Sequence, residues 1–361
     1  MQSMTTLKTY FPQLTGLRAI AAYLVFFVHY NPFEKEVSLS SFYMLFRQFH
    51  VGVALFFVLS GFLITYRYYD LKSFSFKQYF VNRVARIYPL YFLLSTVNFI
   101  YYGIVKSEST LNYVYIYLLN ITLLKGYFDQ YKFSGIGQGW SLTVEETFYL
   151  LAPFVFLLLH RRWIFFYLLP LFFFCIGFGL VYVFKDFNAY TFMSSVEFML
   201  RYTFWGRSIE FFTGIGLAIL IKRGVNVNFK YFTYVGLCVI LLCMFGLSFF
   251  YVNFGFKNSS PVGVLLNNLC LPLFGISCFF YGLLKEKTFI SQALSTPFFV
   301  LLGKSSYAFY LIHLGFIISF FSPWLSNKFA LFIFLNCLAI MLFKGVEEPL
   351  NHTLRKVFKT S

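Results

Sequence analysis

The stretch WIFFYLLPLFFFCIGFGLVYVF, residues 163–184, decides the fold class, because it runs for 22 residues without a charged side chain. An α-helix needs about 20 apolar residues to cross the hydrocarbon core of a bilayer. The whole chain has the same character: 59% of its 361 residues are apolar and only 12% are charged, whereas about a quarter of the residues in a soluble domain are charged. We therefore predict an all-α, polytopic membrane protein that lies in the lipid bilayer.

Nine further apolar stretches have a similar length, which gives about ten predicted transmembrane helices. They cover residues 14–31, 50–66, 86–104, 140–160, 163–184, 204–221, 230–251, 263–284, 297–319 and 328–345. The run 111–124 is too short to cross comfortably and is predicted to be a re-entrant or interfacial segment. No long linker or internal repeat is visible, so we expect residues 1–361 to form a single integral-membrane domain.

The formal net charge of +16 raises the question of a nucleic-acid partner. The basic residues do not form one solvated face, because they stand in short clusters between the apolar stretches, such as Arg161–Arg162 and Lys222–Arg223. Such clusters mark the cytoplasmic loops of membrane proteins. We expect no nucleic-acid partner, and we expect a multi-pass protein of the bacterial inner (cytoplasmic) membrane with both termini in the cytoplasm.

The six cysteines all lie within apolar stretches, and none has the spacing of a zinc or disulfide motif. Free thiols in such surroundings pack as small apolar side chains. We therefore expect no metal site and no permanently bound cofactor.

Ionisable residues inside the predicted helices are candidate functional residues, because burying a charge in lipid is costly. The first helix, LTGLRAIAAYLVFFVHY, carries Arg18 and His29. Their eleven-residue separation is about three turns, which places them on one side of the helix and about 16 Å apart along its axis. The alternative, a snorkelling arginine and a hydrogen-bonded interfacial histidine, remains open at this stage.

The segment VNRVARIYP places Arg83 and Arg86 one helical turn apart at the predicted cytoplasmic surface. Paired guanidinium groups suit phosphate, although a simple topology anchor is the alternative. The segment GQGWSLTVEETFYLLAP opens a helix with Trp140 and Ser141, and Glu145 lies one turn before Tyr149 on the same face.

Two later segments also place polar side chains in apolar surroundings. In WGRSIEFFTGIG, Arg207 and Glu210 stand three residues apart and are expected to pair with each other. In GKSSYAFYLIH, Tyr307 and His313 lie within one predicted span. His50 stands at the edge of a span, where we predict no particular role.

Taken together, these segments resemble acyltransferase family 3. The motifs GLRAIAAYLVFFVH, VGVALFFVLSGFLI, NRVAR, WSLTVEETFY, RSIEFFTGIG, SSYAFYLIH and VEEPL occur in the family's order over nearly the whole chain. The chain departs from the family pattern at Ala54, at Gln138 and at Leu314–Gly315. Many peptidoglycan-acylating relatives carry a soluble hydrolase-like domain that these 361 residues do not show, so we expect a stand-alone type of enzyme.

The resemblance implies an O-acyltransferase, most simply an O-acetyltransferase, that takes its acyl group from cytoplasmic acyl-CoA (acetyl-CoA). The implied acceptor is a hydroxyl of a cell-surface glycan at the periplasmic side, either free or lipid-linked: an O-antigen, a capsule or an exopolysaccharide. In this scheme Arg18, Arg83 and Arg86 bind the donor, His29 is the general base, and Glu145 orients His29. Supporting or acceptor-side residues are Ser60, Trp140, Ser141, Tyr149, Arg207, Glu210, Tyr307 and His313.

A transporter or flippase for a glycan or a small solute is the rival function, because intramembrane Arg, Glu and His residues can also line a solute pathway. Transporters are commonly built from inverted repeats. The chain shows no such repeat, and its intramembrane charges concentrate in the first helix and near residues 140–150. These two features favour the acyltransferase.

Overall fold

The computed structural model describes residues 10–33, 40–70, 75–106, 110–186, 191–321, 323–325 and 327–360. Within these ranges every regular element is a helix, and the only β contact is an isolated bridge between Phe128 and Phe192. The all-α prediction is therefore confirmed for the described part of the chain. The α-helices are α1 (Pro12–His29), α2 (Ser40–Arg47), α3 (Val51–Tyr68), α4 (Phe76–Lys106), α5 (Thr110–Ile121), α6 (Trp140–Arg161), α7 (Phe165–Phe184), α8 (Val196–Tyr202), α9 (Phe204–Lys222), α10 (Phe232–Phe254), α11 (Pro261–Val264), α12 (Ser277–Lys285), α13 (Phe289–Leu294), α14 (Pro297–Ile312), α15 (Phe316–Phe321), α16 (Lys328–Leu342) and α17 (Glu348–Thr360).

Shorter helical turns join several of these helices. Gln48–His50, Lys125–Tyr127 and Gly137–Gly139 are 3₁₀ turns. Leu265–Ile276 and Phe343–Glu347 are π-helical and run on directly into α12 and α17. Wide turns of this kind are rare and often lie at functional sites.

Eight continuous helical runs among the described residues are long and apolar enough to cross a membrane. They are Phe42–Tyr68, Phe76–Ile104, Gly137–Arg161, Phe165–Phe184, Val196–Lys222, Phe232–Phe254, Pro261–Lys285 and Lys328–Phe358. The prediction of a polytopic membrane protein is confirmed, but the count of ten is not. The first predicted span, which carries Arg18 and His29, is not among the eight, and Pro297–Ile312 is an apolar helix that is shorter than the rest.

Several predicted boundaries are wrong, and two of them bear on the site. The predicted span 297–319 is not one helix, because α14 ends at Ile312 and the chain turns before α15. Gly315 has a φ of +97° at this turn, a conformation that glycine adopts without steric cost. The predicted span 86–104 begins ten residues too late, since α4 starts at Phe76 and includes both arginines of the NRVAR motif.

The short run 111–124 forms α5, a helix of 12 residues. At a rise of 1.5 Å per residue such a helix is far shorter than the hydrocarbon core. The prediction that this run is too short to span the membrane is therefore confirmed.

Glycines allow the helices around the site to approach closely. A Cβ atom at Gly214 of α9 would overlap the carbonyl oxygen of Val58 in α3, and a Cβ atom at Gly61 would overlap that of Phe211. A side chain at Gly303 of α14 would likewise overlap the backbone of α1 at Thr15. Small residues at helix contacts are typical of membrane bundles. They bring α1, α3, α9 and α14 together around the polar centre.

Candidate active site

One internal cavity is lined by the three arginines predicted to bind the donor, and we call it the arginine cavity. Its polar lining comes from five helices and consists of Arg18, Ser60, Arg83, Arg86, Ser141, Glu145, Tyr149, Tyr307 and Tyr310. Apolar side chains of α3 complete the wall. The structure therefore brings Arg18, Arg83 and Arg86 to one cavity, as the sequence predicted.

Arg83 lies deep in this cavity, with only 5% of its surface exposed. Its guanidinium group lies 5.8 Å from the ring centroids of both Tyr68 and Tyr149, and its Nε has no hydrogen-bond partner among the described residues. Leaving a buried charged donor unpaired is costly. Arg83 is therefore well suited to bind an anionic group of a ligand.

Basic charge also extends beyond the cavity wall. Arg355 of α17 interacts electrostatically with Arg67, Arg83 and Arg86. None of these four arginines forms an ion pair within the part of the chain that the structure describes. The cluster is therefore an electropositive region.

Two acids lie near Arg18. Glu145 and Glu347 both interact electrostatically with Arg18, and both also interact with Arg86. Glu347 lies at the end of the second π-helical segment, and its Oε2 has no described hydrogen-bond partner. The acids offset part of the arginine charge on the α1 side of the cavity.

Glu145 is held by a chain of hydroxyl groups. Tyr149 Oη donates to Ser60 Oγ at 3.3 Å, and Ser60 Oγ donates to Glu145 Oε1 at 2.6 Å. The hydroxyl of Tyr307, which also lines the cavity, donates to the carbonyl oxygen of Ile87 at 2.7 Å. These hydroxyl protons already have acceptors, so Ser60, Tyr149 and Tyr307 would have to exchange partners before they could stabilise an oxyanion.

A second, larger cavity contains His29, and we call it the His29 cleft. It is formed where several helices end: α1 at His29, α3 at its start, α6 at Trp140, and the chain after α14 at Leu314. Its charged and polar lining also includes Asn31, Arg47, Gln48, His50, Gln138, Glu197, Arg201, Arg207, Lys257, Asn258 and Asn267.

His29 is exposed to this cleft, and its ring centroid lies 5.5 Å from that of His313. His313 is fully buried; its Nδ1 lies 2.8 Å from the carbonyl oxygen of Tyr310, and its Nε2 has no described partner. The structure does not bring Glu145 to His29, because Glu145 lines the other cavity and is bonded to Ser60. No direct contact between Glu145 and His29 therefore supports the prediction that Glu145 orients His29.

The two cavities meet at Val53 and Tyr310, which line both of them. Tyr310 Oη lies 2.9 Å from Ser141 Oγ, and Gln138 Nε2 donates to the carbonyl oxygens of Tyr310 and Leu311 at 2.6 and 2.8 Å. These bonds fix the start of α6 to the end of α14. The two cavities thus share a valine and a hydrogen-bonded tyrosine in their linings, and we call these two residues the Val53–Tyr310 partition.

The predicted pairing of Arg207 with Glu210 is confirmed. Arg207 Nε and Nη2 donate to the two carboxylate oxygens of Glu210 at 2.8 and 2.5 Å, and both residues are buried. The guanidinium group lies 4.9 Å from the ring of Phe57 and 6.0 Å from that of Trp140. Arg207 also lines the His29 cleft, so this pair fixes one of its cationic side chains.

Four lining residues were not predicted as site residues from the sequence, namely Gln48, Val53, Gln138 and Tyr310. Glu347 and Arg355, which interact electrostatically with the cavity arginines, were not predicted either. A signal existed for Glu347, an acid in the VEEPL motif beside an apolar stretch. His50 also lines the cleft, where Asn267 and Asn258 contact its Nε2 at 3.2 and 3.1 Å, although no role was predicted for it.

The fold and the two cavities define a multi-pass membrane protein with an internal, charge-lined site. The sequence profile of the acyltransferase domain of acyltransferase family 3 matches residues 11–344. The chain therefore belongs to this family. No solved structure matches it.

Individual relatives are more distant. The chain is 24% identical over 390 aligned residues to a Staphylococcus aureus (strain COL) protein named "Putative O-acetyltransferase SACOL0978"; the match covers 94% of this chain and 57% of the relative. It is 30% identical to the "Peptidoglycan O-acetyltransferase OatA" of Listeria monocytogenes over 44% of this chain and 26% of that protein. A "Putative acetyltransferase ORF330" of Acidianus two-tailed virus is 34% identical over 45% of this chain and 44% of that protein. The chain thus spans little more than half the length of the staphylococcal relative.

Proposed function

We propose that this protein is a membrane O-acetyltransferase that moves an acetyl group from cytoplasmic acetyl-CoA to a hydroxyl of a cell-surface glycan at the periplasmic side of the inner membrane. The names of the relatives support O-acetyl transfer. The observation that carries the proposal is the pair of cavities: one offers arginines that form no ion pair with a described residue, the other offers His29, and Val53 and Tyr310 line both.

The arginine cavity fits the donor. Coenzyme A carries several phosphate charges, and guanidinium groups bind phosphate with paired hydrogen bonds. Arg83 and Arg86 lie in the first three turns of α4, and Arg67 and Arg355 lie close enough to interact with the same charges. In the orientation set by the basic loops, this end of the bundle faces the cytoplasm, where acyl-CoA is found.

The His29 cleft fits the acceptor, because it is lined by amides, aromatic rings and an exposed imidazole. In direct transfer, His29 accepts the proton of the sugar hydroxyl while the hydroxyl oxygen bonds to the acyl carbon. The carbon–sulfur bond then breaks, and coenzyme A leaves as a thiol with the proton from the imidazolium. The thioester reaches His29 by passing the Val53–Tyr310 partition.

The direct test uses purified protein, radiolabelled acetyl-CoA, and oligosaccharides prepared from O-antigen, capsule and exopolysaccharide. Label on a sugar is the expected result. A transporter would instead carry the glycan or solute into proteoliposomes and leave it unlabelled. Transport without labelling would overturn the proposal in favour of the rival function.

The donor assignment has its own test in Arg86→Lys. Lysine keeps the positive charge but cannot form the paired contacts of a guanidinium group. We expect the apparent KM for acetyl-CoA to rise clearly while the KM for the glycan changes little. Arg161→Lys is the matched control, because Arg161 is exposed at the end of α6 and lines neither cavity. An unchanged KM for acetyl-CoA in Arg86→Lys would leave Arg86 as a topology anchor only.

A further inference from the structure

The His29 cleft is more basic than a site for a neutral sugar needs to be. Its charged lining comprises four cations, Arg47, Arg201, Arg207 and Lys257, and one acid, Glu197. Glu197 pairs with Arg201 at 3.1 Å, and Arg207 is neutralised by Glu210. Two positive charges therefore remain in the cleft without a carboxylate partner in the described part of the chain.

These two cations are Arg47 and Lys257, and both are exposed. Arg47 ends α2, and its guanidinium group lies 4.9 Å from the ring of Tyr251. Lys257 follows α10, the helix that carries Tyr251. Neither side chain forms an ion pair with a described residue that movement toward a ligand would break.

The cleft also contains hydrogen-bond acceptors that lack donors. Gln138 is 3% exposed and Gln48 is 6% exposed, and the Oε1 atom of each has no described partner. The orientation of the Gln138 amide is fixed, because its Nε2 donates to two carbonyl oxygens at the end of α14. A buried amide oxygen without a donor is costly, and a ligand hydroxyl would satisfy it.

Aromatic rings complete the lining. Trp140 and Tyr202 pack edge to face, with centroids 4.9 Å apart, and both line the cleft together with Phe133, Tyr43 and Tyr251. Such side chains combine an apolar face with a polar tip, a combination that suits the apolar face and hydroxyl rim of a sugar ring.

Building on the proposed function, we propose that the acceptor is an acidic glycan: its hydroxyls bind Gln48 and Gln138, its rings lie against the Trp140–Tyr202 wall, and its anionic group binds Arg47 and Lys257. The anion has two chemical sources, a sugar carboxylate or the phosphate of a lipid carrier. Both would make charge-assisted bonds to these cations.

The test measures glycan binding by titration without any donor, so that its result does not depend on acyl transfer. Three probes are compared: an oligosaccharide containing uronic acid, the same oligosaccharide after reduction of its carboxyl groups, and a neutral oligosaccharide linked to a polyprenyl diphosphate. Arg47→Gln and Lys257→Gln remove the two charges singly and together. Lys185→Gln is the matched control, because Lys185 is an exposed cation that does not line the cleft.

We expect the uronic-acid probe to bind about tenfold or more tightly than its reduced form, with the difference lost in the double variant and kept in Lys185→Gln. This is the scale of one charge-assisted hydrogen bond. Added salt should weaken binding to the wild type more than to the double variant. Preference for the diphosphate-linked probe alone would support the same site with the carrier phosphate as the anion.

Equal binding of all three probes, or a preference for an anionic probe that survives in the double variant, would overturn the inference. So would a double variant that loses binding of acetyl-CoA rather than of glycan. The proposed function fails separately, when a bound glycan receives no label from acetyl-CoA.

Discussion

His29 is the last residue of α1, and its imidazole lies in the cleft rather than among the helices. If it is the general base, His29→Ala should lower transfer by about 10²–10⁴-fold, the range of general-base assistance. Binding of acetyl-CoA should persist, because Arg18, Arg83 and Arg86 line the other cavity. Single-turnover transfer with the radiolabelled donor measures the loss, and donor titration is the folding control. Near-normal transfer in this variant would remove His29 from the mechanism.

Val53 offers a test of the route between the cavities, because it lines both and is almost fully buried. Val53→Phe adds volume at the partition and should reduce transfer by at least about tenfold. Donor and glycan binding, titrated separately, should each change by less than about threefold. Val53→Ala is the control at the same position and should remain active. Equal activity in the Phe and Ala variants would mean that the acyl group does not pass there.

At the residue scale, the sequence predicted the charged residues of the site better than their partners. Arg18 was found because a charge inside an apolar helix is rare, and Arg83 and Arg86 were found because paired guanidinium groups suit phosphate. Tyr310 and Val53 carry no such signal, because an aromatic or a valine in a membrane helix is ordinary. The placement of Glu145 beside Ser60 rather than His29 depends on which helix faces α6 across the cavity. The spacing of residues within one helix does not determine which helices pack against each other.

Lys125 links α5 to the segment that leads into α6. It is fully buried, and its Nζ donates to the carbonyl oxygens of Ser134 and Ile136 at 2.5 and 2.6 Å. Burial lowers the pKa of the Lys125 amine from 10.5 to about 7. A neutral amine has two N–H groups, which match these two carbonyls. We therefore expect the uncharged amine to hold the loop before Trp140 above about pH 7.

The pH dependence follows from that lowered pKa. Between pH 7 and about 10.5 the unfolded chain binds more protons at Lys125 than the folded one, so stability rises with pH across this window and is lost as pH falls toward 7. We expect the Tm in detergent to rise from pH 7 to 9, and Lys125→Met to lack this component and to be less stable at pH 9. Lys185→Met is the exposed control and should follow the wild type. A Tm slope in Lys125→Met equal to that of the wild type would show that the amine stays charged.

The close contact of α3 and α9 depends on glycine. Because a Cβ atom at Gly214 would overlap the backbone at Val58, we expect Gly214→Ala to destabilise the protein by about 1–3 kcal/mol, the range for overpacking. Gly179→Ala is the matched control, since a Cβ atom there would have no neighbour within 4 Å. Thermal unfolding in detergent compares the two. Equal Tm values would show that the α3–α9 contact can relax without cost.

At the element scale, helix limits were predicted well where polar loops flank the apolar run. The predicted span 140–160 is α6, Trp140–Arg161, and the span 204–221 is α9, Phe204–Lys222. Prediction failed where the backbone turns inside an apolar run, as between α14 and α15, where Gly315 has a φ of +97°. Hydropathy alone does not distinguish such a break from a continuous helix.

At the scale of the whole molecule, the two cavities make the two ends of the helix bundle different from each other. Arg83 and Arg86 lie near the start of α4, whereas His29, Trp140 and Leu314 lie at helix ends around the His29 cleft. A transferase with a cytoplasmic donor and a periplasmic acceptor needs two such different ends, because acyl-CoA and the cell-surface glycan lie on opposite sides of the membrane. The proposed chemistry therefore depends on the orientation of the chain in the membrane.

That orientation can be measured with single cysteines placed at the two ends of the bundle. Ser75 precedes α4, and Lys185 follows α7. In a background without the six native cysteines, Ser75→Cys should react with an impermeant thiol reagent only after the membrane is opened, because the arginine cavity must face cytoplasmic acyl-CoA. Lys185→Cys should react in intact spheroplasts. The reverse labelling pattern would place the arginine cavity on the periplasmic side, and acetyl-CoA could then not be its ligand in the cell.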